Sequence, residues 1–240
     1  NAAMLTYMFR ESFLQEWKRR QCRESFLSLA IWSCAILCRV RNHISTGAPN
    51  DADGLLYLIA TLFSTTILAG LVYCSLYFCN ALTGLIDLFG VSVVGKSIDV
   101  SAAHEWNVLL AVLRTASSSI EWCILTLQAA AGLTTLLALI DVAQNGTDIL
   151  LVLPEFLFVV NAARVLFRAA SVTDKCVRLP MLINSLSCAQ VDPNRQYVIE
   201  FINNSAAGFY VFECRLSTVV ALKSMYVFCG VVFAFATRAV

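Results

Sequence analysis

Charge is missing from long stretches of this chain. From Leu55 to Cys79 no charged residue occurs, and apolar character continues to Val94 with only Asp87 interrupting it. A helix of about 20 residues crosses the hydrocarbon core of a bilayer, so this run predicts a span whose continuation leaves the membrane near Asn80. A second pattern runs over about 102–142. Its first half carries Glu105, Arg114 and Glu121, while Trp122–Ile140 is apolar enough for a membrane. At about 1.5 Å per residue it measures roughly 60 Å, about twice a bilayer core, so half of it is predicted to project into water. Further spans are predicted at Ile149–Ala169, after the tight turn Ala143–Asp148, and at Ser217–Thr237. A shorter span is predicted at 25–44, where Arg39 and Arg41 follow the apolar stretch Phe26–Cys38 and are expected to snorkel to the interface. Ahead of it, Leu5, Met8, Phe13, Leu14 and Trp17 alternate with Arg10, Glu11, Glu16 and Lys18, the pattern of an amphipathic helix over 3–22.

The predicted class is therefore all-α, a polytopic membrane helical bundle with five spans and cytoplasmic helical extensions. Its expected organisation is a cytoplasmic amphipathic helix over 1–24 and transmembrane helices over 25–169, with a cytoplasmic extension at about 80–120. A cytoplasmic helical insert over 170–216 and a terminal helix over 217–240 complete it.

Charge sets a direction. With the N-terminal end of this sequence on the cytoplasmic side, only Arg39, Arg41 and Arg238 of the 17 basic residues fall outside, as the positive-inside rule requires. The sequon Asn145–Gly146–Thr147 then lies outside and Asn145 is a candidate glycosylation site, whereas Asn203–Asn204–Ser205 falls inside and is expected to be silent. The chain starts at Asn1 rather than Met, and the order of charge and apolar residues is not that of a signal peptide, so an upstream portion is expected.

Composition supports the membrane class: hydrophobic residues make up 59% and charged residues 14%, against about 25% charge in a typical soluble domain. A net charge of +1 argues against a nucleic-acid footprint. The 10 cysteines form no C-x-x-C pair, and with only two histidines, His43 and His104, no metal site or other cofactor is expected. No nucleophile, base and orienting group are brought together by the sequence, so no enzyme is expected.

Gly90–Ser97 (GVSVVGKS) fits the phosphate-loop pattern, and Leu136–Asp141 could pass for its acidic strand. Both are rejected. β-branched Val93 and Val94 resist the cradle backbone, and no soluble α/β domain can be built around these runs. A glycine-bearing helix end is expected instead. Glu155, beside Pro154, is the ionisable group most clearly inside a span and is a functional candidate by default. Lys223 can snorkel to the cytoplasmic side and Glu121 is expected near the interface.

The terminal run resembles the last helix of insect gustatory and odorant receptors and the wider gustatory-receptor-like proteins. That helix carries T-Y, five apolar residues and Q-F. Met225–Phe233 aligns without a gap: Tyr226 and Phe233 match, Met225 stands in place of Thr and Val232 in place of Gln. Ser205–Tyr210 (SAAGFY) is similar to the stretch before that helix. The resemblance is to a divergent member, N-terminally truncated. It implies a chemoreceptor-like ligand-gated cation channel in the plasma membrane, a homo- or hetero-tetramer in which these spans are the third to seventh of seven. Its pore wall would be Met225, Cys229, Val232 and Ala236, mostly apolar and gated by dewetting. A pocket for a small-molecule ligand would use Trp32, Tyr57, Phe63, Glu155, Phe156 and Phe158. From the residues alone, a secondary transporter, a membrane enzyme and an assembly subunit remain open. The transporter lacks a visible internal repeat. A G-protein-coupled receptor fits poorly, since that class ends in a cytoplasmic tail.

Overall fold

The computed structural model describes residues 2–45, 52–95, 101–145, 149–185 and 193–239. Within them the chain is all-helical. Its helices are α1 (Ala2–Ser45), α2 (Ala52–Gly95), α3 (Ser101–Asn145), α4 (Ile149–Ser185), α5 (Pro193–Asn204) and α6 (Thr218–Ala239), with a small hairpin, β1 (Tyr210–Val211) and β2 (Cys214–Arg215), before α6.

Among the described residues, four helices are long and apolar enough to cross a membrane, over Gly54–Val93, Ser101–Ile140, Val152–Ser185 and Thr218–Thr237. Helix α1 is not among them. Its charge-free stretch, Phe26–Cys38, is shorter than the roughly 20 residues a span needs, so of the five expected spans these four are shown.

Hydroxyl side chains that would be costly in lipid are satisfied inside their own helices. Thr61, Ser64, Thr65, Thr66 and Thr83 each donate to the carbonyl four residues earlier, at 2.7–2.9 Å. A hydrocarbon environment supplies no partner, so such internal bonding is what lets Thr and Ser sit in a span.

The chain divides into two compact units. The first gathers 1–21, 77–122 and 167–221. Its core is built on Trp106 and Phe209, both fully buried, with Ile86, Leu113, Val172 and Val198. Phe89 tilts against Trp106 at 5.1 Å between ring centres, and the Trp106 Nε1–H donates to Ser205 Oγ at 2.9 Å. The Phe209 amide donates to Thr173 Oγ1 at 2.8 Å. Gly208 is required by close approach: a Cβ there would lie 2.9 Å from Arg215 Nε and 3.0 Å from Thr173 Cγ2. Ser205–Phe209 is thus tied to α3 through Trp106 and to α4 through Thr173.

The hairpin in this unit pairs Tyr210 with Arg215 and Val211 with Cys214. Its two turn residues, Phe212 and Glu213, hold φ of 46° and 64°, the left-handed backbone that a two-residue hairpin turn demands and that non-glycine residues resist. Contacts with α3 hold the turn: the Phe212 amide donates to Glu121 Oε2 at 3.2 Å, and the Phe212 ring meets Trp122 edge-on at 5.0 Å.

The second unit gathers 22–76, 123–166 and 222–240. Its interior is narrow: Val72, Leu76, Leu127 and Val165 are buried, with Ala131 and Ala162 letting the helices approach closely. Much of its surface is apolar, with Phe26, Leu56, Phe63, Leu133, Phe156 and Phe233 all exposed. Exposed apolar surface on this scale suits lipid or a partner and not water.

Candidate functional site

In the second unit, α1, α2, α3 and α4 line a cavity of about 120 Å³. Trp32, Arg39, Thr61, Thr65, Glu155 and Phe158 are among its walls. Pro154 and Glu155 lie in the second turn of α4, past the four amides that lack an intrahelical acceptor, so the proline removes one helical hydrogen bond there.

Electrostatics define the site. Arg39 forms an ion pair with Glu155 Oε1, and their side chains are 25% and 11% exposed. Arg39 also donates to Tyr57 Oη at 3.4 Å. A carboxylate and a guanidinium withdrawn this far from solvent are each costly alone and tolerable as a pair. Arg39 therefore turns to a partner within its unit instead of snorkelling outward. Two polar atoms on the same cavity have no hydrogen-bond partner in the protein: Trp32 Nε1 and Glu155 Oε2. One can only donate and the other, ionised, can only accept. The cavity is chemically suited to a small molecule that presents both an acceptor and a donor, with Phe158 as an apolar wall.

Of the residues nominated for a ligand pocket, Trp32, Glu155 and Phe158 line this cavity. Tyr57 reaches it only through Arg39. Phe63 and Phe156 point elsewhere, 68% and 61% exposed. Sequence reasoning missed Thr61, Thr65 and Thr134, which line the cavity without any pattern to single them out. It also missed a second pair in this unit, Arg164 with Glu24, where Asn161 Oδ1 accepts a further Arg164 bond at 2.8 Å. Glu24 is only 5% exposed. The signal was available: Arg164 is an uncompensated charge within an apolar run.

The terminal helix presents two faces. Met225, Phe228, Val232 and Ala236 form a half-buried stripe, and Phe228 reaches within 4.0 Å of a Cβ built on Gly132 of α3. Tyr226, Cys229 and Phe233 lie on the exposed side. Three of the four nominated pore residues therefore pack within the chain, and Cys229 alone is on the open face.

The first turn of α6 is capped. Thr218 donates from its amide to Asp174 Oδ1 at 3.4 Å and from its hydroxyl to Asp174 Oδ2, and Ser217 Oγ accepts from the Val220 amide at 3.4 Å. A carboxylate at a helix start satisfies free amides and opposes the helix dipole.

The other motifs resolve as local structure. Gly90–Gly95 lies within α2 and Leu136–Asp141 within α3, so neither a phosphate cradle nor an acidic strand forms there; Lys96 and Ser97 lie outside the described residues. Gly90 serves packing, since a Cβ would come 3.1 Å from Leu179 Cδ1. Asn145 ends α3, while Gly146 and Thr147 of its sequon lie outside the described residues. Lys223 and Glu121 are exposed and half-buried respectively. Among the described residues no group of His, Cys, Asp or Glu converges as a metal site.

No model of a known protein family matches this chain, and no curated protein matches it.

Proposed function

We propose that this integral membrane protein is a ligand-gated cation channel of the gustatory-receptor-like type, acting as a tetramer in the plasma membrane with α6 at its pore. The observation that carries the reading is α6 itself. It is a membrane-length helix capped by Asp174, packed along one stripe and apolar on its open side. The open side is free to meet the same helix of other copies.

The pore face is refined accordingly. Leu222, Cys229 and Phe233 recur at i, i+7 and i+11, beside the packed stripe, and are exposed. They form the proposed water-facing line, with Met225, Val232 and Ala236 behind it. Such a line closes by dewetting and opens when its apolar rings separate. The ligand is a small uncharged molecule held by Trp32 Nε1 and Glu155. The N-terminal end of this sequence is cytoplasmic in this reading, following the positive-inside distribution.

A carrier is the second reading, favoured by the buried Arg39–Glu155 pair, since paired charges within spans also mark transport pathways. Recording from the protein in oocytes under a panel of small molecules separates the two. Ligand-evoked currents support the channel; flux of a substrate without conductance from surface-delivered protein would replace it with the carrier.

A further inference from the structure

The second unit's cavity of about 120 Å³ has the volume of about four water molecules, at about 30 Å³ each. Its occupant therefore has only a few non-hydrogen atoms. Thr61, Thr65 and Thr134 on its wall already use their protons. Each hydroxyl donates to a backbone carbonyl of its own helix: Thr61 to Tyr57 at 2.8 Å, Thr65 to Thr61 at 2.8 Å and Thr134 to Ala131 at 3.1 Å. A hydroxyl has a single proton, so these oxygens can offer the cavity lone pairs only. Glu155 Oε2, without a partner in the protein, likewise only accepts when ionised. Against these acceptors stand the Trp32 Nε1–H, also without a partner, and the N–H groups that Arg39 does not use on Glu155 and Tyr57. Ile31, Leu68 and Phe158 make an apolar wall.

This combination narrows the ligand's chemistry. The Arg39–Glu155 pair is already balanced, so a net charge on the ligand would go uncompensated in a site withdrawn from solvent. A ketone has no proton for Glu155 Oε2. An alcohol has one proton for several acceptors, and one oxygen must serve both sides. A primary amide keeps the two tasks on separate atoms: its carbonyl has two lone pairs and its NH2 two protons. We infer that this cavity binds a small neutral primary amide. The carbonyl accepts from Trp32 Nε1–H, the NH2 donates to Glu155 Oε2 and to a threonine oxygen, and the alkyl group lies against Phe158. The inference rests on the proposed reading of this cavity as the ligand site and adds the class of the ligand.

Saturation-transfer NMR on the full chain in deuterated neutral detergent tests it, with protein-free micelles as the blank. The probes are acetamide, acetone, 2-propanol, acetate and acetamidinium, which share one branched shape and size. A hydrogen bond left unmade at a buried group costs at least about fivefold, so acetamide is expected to bind at least about fivefold more tightly than each of the others. Trp32→Phe removes the N–H and keeps an aromatic ring; it is expected to weaken acetamide and acetone alike, by about fivefold. The double variant Arg39→Met with Glu155→Leu removes the pair without leaving a lone charge, and is expected to remove most of acetamide's advantage over acetone. Equal binding of acetamide and acetone by the parent chain would overturn the inference, as would unchanged acetamide binding in Trp32→Phe. Equally tight 2-propanol would replace the amide with a hydroxyl ligand, and tighter acetate or acetamidinium would replace it with a charged one. Binding of none of the probes would mean a cavity that holds water only. Binding is read here without conductance. Amide-selective binding by a protein that carries no current leaves this inference and removes the channel. Currents evoked by other compounds and lost in Trp32→Phe do the reverse.

Discussion

Asp174 of α4 holds Thr218 of α6 by both its amide and its hydroxyl. The terminal helix is thereby started by a side chain forty-four residues upstream rather than by its own sequence alone. Replacing Asp174 by Ala is predicted to cost about 1 kcal/mol, the usual effect of losing a cap, and to lower the melting temperature by about 2–4 °C for a chain of this size. Asp174→Asn keeps an acceptor oxygen and is predicted to lose less. Thermal unfolding in detergent by circular dichroism checks both. An unchanged melting temperature in Asp174→Ala would show that the contact contributes nothing.

The Glu24–Arg164 pair predicts strong coupling. Arg164→Met takes this cationic partner from Glu24, 5% exposed, and is predicted to destabilise, by at most about 3–5 kcal/mol. The double variant Glu24→Leu with Arg164→Met removes both charges and is predicted to recover most of that loss. Additive single effects in a double-mutant cycle would contradict the pairing.

The hairpin turn gives a prediction of opposite sign. Glu213 sits at φ 64°, where a side chain costs about 1–2 kcal/mol. Glycine removes that strain and loses about 0.5–1 kcal/mol through the greater freedom of the unfolded chain. Glu213→Gly is therefore predicted to stabilise slightly, by about 0.5–1 kcal/mol. Phe212→Gly is predicted to destabilise, because it gives up the ring contact with Trp122, worth about 0.5–1.5 kcal/mol beyond the area it buries. Denaturant midpoints of the two variants, compared with the parent, decide the matter. A loss in Glu213→Gly would mean that its side chain outweighs the strain.

The helical class was legible because charge-free runs of membrane length have few other uses, and Leu55–Cys79 was assigned from that fact alone. Continuity was harder to read. Residues 171–185 carry Asp174, Lys175 and Arg178, which argue for an exit from the membrane, yet α4 runs through them without a break. The reason is that Asp174 is occupied with Thr218 and Lys175 with Asp87, both pairings remote in sequence. Helix α1 was the least legible span, since its charge-free stretch Phe26–Cys38 is shorter than the roughly 20 residues of a crossing. At the cavity, Trp32, Glu155 and Phe158 were found because an aromatic or a charge in a span draws notice. Arg39 was misjudged because its partner lies on another helix. The packed stripe of α6 was invisible for the same reason: Met225 and Cys229 differ in exposure only because of what stands beside them.

The central claim is that the open face of α6 lines an ion pathway, and Cys229 tests it most directly. Currents recorded from the protein in a planar bilayer, before and after a membrane-impermeant cationic thiol reagent, give the answer. Block of the current in the parent chain and its persistence in Cys229→Ala are predicted, since Cys229 lies on the exposed side of α6. Correctly inserted protein that carries no current under any ligand, or a current equally blocked in Cys229→Ala, would contradict the claim.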